Sequence, residues 1–176
     1  KRIWQVQPGY STPLNILKCK TGKYVALFGD YYGNENRAPV NIYGVTTNCK
    51  IDIIYTFPSK AVRHIHNIIP DDKGGYFIFA GDDDKKAGIY YADDKFFNVA
   101  PVFIGDKQAR AVIGYPFGDG LLFATDSVSD TNHIYYLRKN GIEWKKEKII
   151  RLNGSCIYGA MYNDIYFFST TVESPE

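Results

Sequence analysis

The sequence predicts an all-β protein built from a repeated four-stranded unit. Of its 176 residues, 45% are apolar and 16% are aromatic, with 15 Tyr and 11 Phe, a composition that favours strands. No stretch carries a helical period, and turn residues such as those at 73–75 and 119–120 separate short apolar runs. Similar runs recur at a spacing of about 45 residues, which indicates an internal repeat.

Four kinds of strand-like run follow one another in each unit. The first run occupies 13–18, 61–66, 109–114 and 155–160. The second ends in a small residue followed by a polar one, and occupies 23–30, 75–82, 120–126 and 164–171. The third is Tyr-rich and occupies 40–45, 87–92 and 132–137. The fourth closes the unit at 51–57, 98–104 and 145–152.

Four short strands in about 45 residues is the size of a β-propeller blade. We therefore predict that 1–176 is a single β-propeller segment of about 3.5 blades, part of a larger six- or seven-bladed ring whose remaining blades are missing from this chain. The predicted blades are approximately 13–57, 61–104, 109–152 and a partial 155–176. A four-bladed ring closed by the strand-like run at 2–7 is the alternative.

Composition and charge argue against several function classes. The formal net charge is +2 and the 21 Lys and Arg are dispersed, so no basic stripe for nucleic acid is predicted. No apolar run approaches the roughly 20 residues of a membrane span. Cys19, Cys49 and Cys156 fit neither a disulfide framework nor a zinc site, and we predict buried thiols. No cofactor is predicted, and no signal indicates a compartment.

One turn resembles a known repeat motif. In "LRKNGIEW" (137–144), Gly141 and Trp144 stand where the sialidase-type Asp-box, Ser-x-Asp-x-Gly-x-Thr-Trp, has them, while Leu137, Lys139 and Glu143 replace its Ser, Asp and Thr. With "RHIH", "AGD", "GDKQAR" and "ATDS", the chain resembles BNR-repeat, sialidase-like propeller proteins over about 13–173. The resemblance implies a link to glycans, as a glycoside hydrolase or as a carbohydrate-binding relative.

Propeller geometry predicts a ring of polar residues. The start of each first strand and the end of each second strand lie on one rim of the channel, and Glu173 follows the last of these strands. Guanidinium groups suit acidic ligands, and carboxylates suit sugar hydroxyls or acid–base chemistry. The predicted catalytic residues are Asp82 and Asp126. The predicted ligand-binding residues are Arg63, His64, His66, Gln108, Arg110 and Asp30.

The two histidines raise the question of a metal. His64 and His66 alternate along a predicted strand and face one side of it, but no third ligand stands at a recognised spacing. No metal site is predicted, and residues 82–84 read as a solvated loop. Sialidases characteristically bind the substrate carboxylate through three arginines. In this chain only two arginines, Arg63 and Arg110, stand at equivalent positions of the repeat.

Three functions remain open at this stage. The first is a sialidase-like propeller that recognises or hydrolyses a carbohydrate, including an acidic glycan, at the channel mouth. The second is a non-catalytic glycan-binding propeller with the same polar mouth. The third is a protein-interaction scaffold, because rigid repeat folds present loops at their rims.

Overall fold

The computed structural model of the protein describes residues 12–20, 22–82, 85 and 87–171. The described residues form fourteen strands, one 3-10 turn at Lys107–Ala109 and no α-helix, so the all-β prediction is confirmed. The predicted strand at 2–7 and Glu173 lie outside them. Within the same part of the chain, no helix is long and apolar enough to cross a bilayer.

The strands form four separate antiparallel sheets in chain order. Sheet I contains β1 (Ile16–Lys18), β2 (Tyr24–Gly29), β3 (Val40–Thr46) and β4 (Ile51–Phe57). Sheet II contains β5 (Ile65–Pro70), β6 (Tyr76–Ala80), β7 (Gly88–Ala92) and β8 (Val99–Ile104). Sheet III contains β9 (Ala111–Phe117), β10 (Gly120–Thr125), β11 (His133–Asn140) and β12 (Glu143–Arg151). Sheet IV contains β13 (Cys156–Tyr162) and β14 (Ile165–Thr170).

Each four-stranded sheet is a meander in which every strand pairs with the next one along the chain. No sheet among the described residues closes on itself. In sheets I to III the second strands are deeply buried, because they have a partner strand on both sides and a neighbouring sheet against them. Fully buried side chains there include Leu27, Phe77, Phe79, Leu121 and Phe123. Two apolar clusters result, one between sheets I and II and one between sheets II and III.

The first strands of successive sheets lie beside one another. Contacts join β1 to β5, β5 to β9 and β9 to β13. Side chains reinforce these contacts: Asn15 Nδ2 donates to the His66 carbonyl at 3.0 Å, and Asn67 Nδ2 donates to the Val112 carbonyl at 2.8 Å. The starts of three consecutive repeats are therefore held together, and this arrangement positions the polar residues described below.

Trp144 packs against a neighbouring sheet. Its ring lies 5.6 Å from Phe77 and 6.0 Å from Tyr91, both of sheet II. The preceding turn contains Gly141 at φ +63°, a backbone conformation that glycine adopts without strain. The two residues that carry the motif resemblance thus form a tight turn and a contact between sheets.

Two expectations need correction. The predicted first run of the second unit, 61–66, is displaced, because β5 begins at Ile65 and Arg63 and His64 lie in the loop before it. The loop is held there by Asn34, whose Nδ2 donates to the Arg63 carbonyl at 3.0 Å. The prediction of three buried thiols is also wrong. Cys49 is exposed, in the tight turn between β3 and β4, and Cys19 is only partly buried.

Candidate functional site

A cluster of charged and imidazole side chains lies where β5 begins and β6 ends. Ile65 pairs with Ala80 across these antiparallel strands, so the residues just before β5 and just after β6 come to the same end of the sheet. Arg63 and His64 precede β5, His66 lies within it, and Asp82 follows β6. We call His64, His66 and Asp82 the His–His–Asp group.

The three side chains of the His–His–Asp group meet at a single point. The two Nε2 atoms are 3.1 Å apart. Asp82 places Oδ1 2.9 Å from Nε2 of His66 and Oδ2 3.1 Å from Nε2 of His64. Both imidazoles are almost completely buried, with 5% and 2% of their side-chain surface exposed. Asp82 is 23% exposed, so the group is accessible from its carboxylate side.

The opposite nitrogen of each ring contacts a backbone carbonyl. Nδ1 of His64 is 2.8 Å from the Tyr32 oxygen, and Nδ1 of His66 is 3.0 Å from the Ala111 oxygen. A carbonyl oxygen only accepts hydrogen bonds, so each Nδ1 must carry a proton. In the neutral form of each ring, Nε2 is then an unprotonated atom with a lone pair.

Two arginines flank the group and connect it to further carboxylates. Arg63 Nη1 is 3.6 Å from Asp82, and Arg63 Nη2 also binds Glu35. Arg110, from the residue just before β9, places Nη2 3.5 Å from Asp82 and 3.2 Å from Asp126. Asp126 follows β10, the second strand of sheet III. Polar residues from three successive sheets are therefore linked in one network of ion pairs.

Both guanidinium groups contain one unpaired donor. The Nε atoms of Arg63 and Arg110 are buried and make no hydrogen bond within the described residues. An unpaired buried donor costs free energy, by about 1–3 kcal/mol in typical proteins. The two Nε–H groups are therefore available to a further partner, such as a water molecule or a ligand atom.

The two carboxylates predicted to be catalytic have opposite pKa shifts. Burial alone would raise the pKa of Asp82, but hydrogen bonds and positive charge from His64 and His66 in their protonated form outweigh it and bring that pKa well below the usual range. Burial raises the pKa of Asp126, and the charge of Arg110 and a hydrogen bond from Ser155 offset only part of that increase. The two side chains thus occupy unequal environments although both approach Arg110.

An open cavity adjoins the group. Its volume is about 570 Å³, and it lies against sheets III and IV, with Leu14 and Asn15, just before β1, at its edge. Polar side chains of His66, Arg110, Asp126 and Ser155 line it, together with Tyr31 and Tyr158. The Tyr31 ring also lies 4.5 Å from the His64 ring. The cavity therefore combines hydrogen-bond donors and acceptors with aromatic surface, as small-ligand sites do.

Two predicted ligand-binding residues lie outside this network. Asp30 accepts hydrogen bonds from the Asn41 amide at 2.8 Å and from the Tyr43 hydroxyl at 3.1 Å, so it secures the connection between β2 and β3. Gln108 donates to the Thr131 carbonyl at 3.2 Å and accepts from the Tyr135 hydroxyl at 3.1 Å. These interactions hold the loop before β9 against β11, and neither side chain lines the cavity.

Sequence reasoning missed Glu35 and Tyr31, which lie in the long connection between β2 and β3. This connection spans 30–39, longer than its counterparts at 81–87 and 126–132, so the repeat offered no register in which to find them. It also missed that Asp82 completes a three-residue set with the histidines. The signal was present, because Asp82 follows the strand that pairs with the one carrying His66.

Comparison of the chain with protein-family models, with curated proteins and with solved structures gives no match in any of the three.

Proposed function

We propose that the protein is a segment of a sialidase-like β-propeller that binds a carbohydrate in the cavity beside Arg110. Two features support the propeller: each complete repeat is a four-stranded meander, and the first strands of successive sheets adjoin. The observation that carries the ligand proposal is the convergence of Arg110, Asp126 and His66 on one cavity.

The chemistry of the cavity suits a sugar. A carboxylate accepts a hydrogen bond from a sugar hydroxyl, and a guanidinium group donates one to it. Tyr31 and Tyr158 present ring faces that can cover the apolar side of a pyranose. A volume of about 570 Å³ lies within the range of small-ligand pockets. Recognition of one or a few sugar residues is therefore the function that the geometry supports best.

The test is calorimetric titration of the purified protein with a panel of neutral and acidic oligosaccharides. We expect saturable binding of at least one member, weakened by about tenfold or more in Arg110→Ala, which corresponds to about 1.4 kcal/mol. Arg138→Ala is the matched control, because Arg138 is an exposed residue of β11 away from the cavity. Its affinity should equal that of the wild type.

A second variant distinguishes a loss of binding from a loss of folding. Tyr158 is 69% exposed and lines the cavity, so Tyr158→Ala should leave the circular dichroism spectrum unchanged and still weaken binding. The proposal fails if no sugar binds the wild type. It fails equally if both cavity variants bind as tightly as Arg138→Ala. A protein that co-purifies in place of any sugar would support the scaffold function.

One observation favours hydrolysis as a second candidate. Asp82 and Asp126 share Nη2 of Arg110, so their carboxylates lie within about 7 Å of each other, near the separations that glycosidases use. If the protein is a hydrolase, sugar release from the same panel should stop in Asp126→Asn while binding persists. Binding by the wild type without any release would leave recognition as the function.

A further inference from the structure

We infer that His64, His66 and Asp82 form a binding site for a divalent first-row transition-metal ion, with His66 placing that ion at the wall of the cavity. The inference does not depend on the proposed carbohydrate. It rests on the protonation states that the backbone imposes, on the distances between the three ligand atoms, and on the burial of the two rings.

The first step concerns the protons. Because each Nδ1 donates to a carbonyl, neutral His64 and His66 direct two unprotonated Nε2 atoms toward each other and toward the Asp82 carboxylate. These two nitrogens and the two carboxylate oxygens, with contacts of 2.9–3.1 Å, repel one another unless something positive lies between them. The group therefore requires protons or a cation.

Protons alone do not remove the repulsion within the His–His–Asp group. One proton on His66 would bridge to Asp82, but it would leave the lone pair of His64 facing the other carboxylate oxygen at 3.1 Å. Protonating both rings would place two imidazolium nitrogens 3.1 Å apart beside two guanidinium groups, with one carboxylate between them. Like charges at this distance in a buried site are strongly unfavourable.

The distances match a shared metal ion. Two ligand atoms, each about 2.1 Å from one ion and at right angles, are about 3.0 Å apart, whereas a tetrahedral arrangement separates them by about 3.4 Å. The three observed separations are 2.9, 3.1 and 3.1 Å. Asp82 reaches His66 with Oδ1 and His64 with Oδ2, so these separations join four atoms and fit an ion that takes both nitrogens and one or both carboxylate oxygens. This is the two-histidine, one-carboxylate ligand set, which leaves other positions of an octahedron open.

The surroundings also fit a metal centre. Hydrogen bonds from Nδ1 to the carbonyls of Tyr32 and Ala111 fix the ring orientations, as outer partners of metal-bound histidines do. The two arginines do not exclude a cation, because each also pairs with a second carboxylate, Glu35 or Asp126. Two guanidinium groups against three carboxylates leave one negative charge for the ion to offset.

The open positions of the ion would face an accessible space. His66 lines the cavity, and Asp82 is the most exposed of the three ligands. An ion can therefore enter from the carboxylate side and retain water or take an oxygen atom of a ligand. This arrangement distinguishes the site from a closed structural metal site, in which four protein ligands leave no position free.

The experiment uses the purified protein, stripped with a chelator and titrated separately with Zn²⁺ by calorimetry and with Co²⁺ by visible absorption. We expect one equivalent per chain and the weak absorption of five- or six-coordinate Co²⁺. His66→Gln and Asp82→Asn should each weaken binding by about 100-fold or more. His133→Gln is the matched control, since His133 contacts Gln108 at 3.3 Å and no member of the His–His–Asp group.

A second measurement keeps the test valid if a variant folds poorly. In nitrogen-15 NMR spectra of the wild type, Zn²⁺ should shift the Nε2 resonances of His64 and His66 and leave those of His133 in place. The inference is overturned if the wild type binds no metal. It is equally overturned if both variants bind as the wild type does, or if the Nε2 resonances stay unchanged at saturation; both outcomes mean adventitious binding elsewhere on the chain.

Discussion

Cys156 and Cys49 show how one residue type acquires different properties from its surroundings. Cys156, the first residue of β13, is completely buried, while Cys49 is exposed in a turn. Burial raises the pKa of the Cys156 thiol to about 11. The thiolate is the reactive form, so the two cysteines should differ strongly toward thiol reagents.

At about pH 8, an alkylating reagent should label Cys49 rapidly and Cys156 far more slowly. In a variant that lacks Cys19 and Cys49, the slow labelling of Cys156 should accelerate about tenfold per pH unit until the pH nears 11, because the thiolate fraction grows in that proportion below the pKa. Mass spectrometry of the labelled peptides measures both rates. Equal labelling of the two residues in the native protein would contradict the burial of Cys156.

Residues of the candidate site that occupy the repeated register could be predicted from the sequence. Arg63, Asp82, Arg110 and Asp126 were placed on one rim because each stands beside the start of a first strand or the end of a second. The same register also selected Asp30, whose carboxylate faces Asn41 and Tyr43. The position of a residue within the repeat predicts the path of the backbone. The direction of its side chain depends on local partners that have no counterpart in the other repeats.

At the scale of strands, β10 and β11 approach each other so closely at Gly120 that no side chain fits. A methyl group there would contact the Leu137 carbonyl oxygen and the Arg138 Cα, both backbone atoms that cannot move aside. We expect Gly120→Ala to lower the free energy of unfolding by about 1–3 kcal/mol, as overpacked sites do. Urea denaturation measures the change.

Gly33→Ala is the control for this substitution, because a methyl group at Gly33 meets no atom within 4 Å. Its free energy of unfolding should stay within about 0.5 kcal/mol of the wild type. If Gly120→Ala unfolds at the same urea concentration as Gly33→Ala, the close pairing of β10 with β11 at this position is wrong.

The alternation of apolar and polar residues, together with the turn residues, was sufficient to predict that the strands exist. It predicted less accurately where they begin and end. The second, third and fourth runs of the complete units match strands of sheets I to III within a few residues. First strands were displaced most, as at β5, where the run 61–66 includes a loop. In that loop Val62 and His64 are buried whereas Ala61 and Arg63 are only partly so, an alternation that a strand would also produce.

At the scale of the whole molecule, side chains on first strands tie each sheet to the next. Asn67 donates across from β5 to the Val112 carbonyl of β9 and accepts from the Ile68 amide. Asn67→Ala should cost about 1–3 kcal/mol, because it leaves the Val112 oxygen without this donor. Asn48→Ala, in the exposed turn between β3 and β4, should change stability by less than about 0.5 kcal/mol.

Thermal unfolding followed by near-ultraviolet circular dichroism and by tryptophan fluorescence tests the same interactions. Trp144 packs against sheet II, so its fluorescence responds when sheets II and III separate. We expect both probes to give one coincident transition in the wild type. Two well-separated transitions would mean that the sheets unfold independently and that the cross-sheet hydrogen bonds contribute little.

The central place of β5 has a consequence for the exchange of amide hydrogens with deuterium. This strand adjoins first strands on both sides, β1 and β9, and carries four buried residues among its six. Its paired amides become accessible to solvent only when its pairing with β6 opens, and sheets I and III pack against the strand on its other sides. Deuterium should therefore enter β5 long after it enters β14, where four of six residues are exposed.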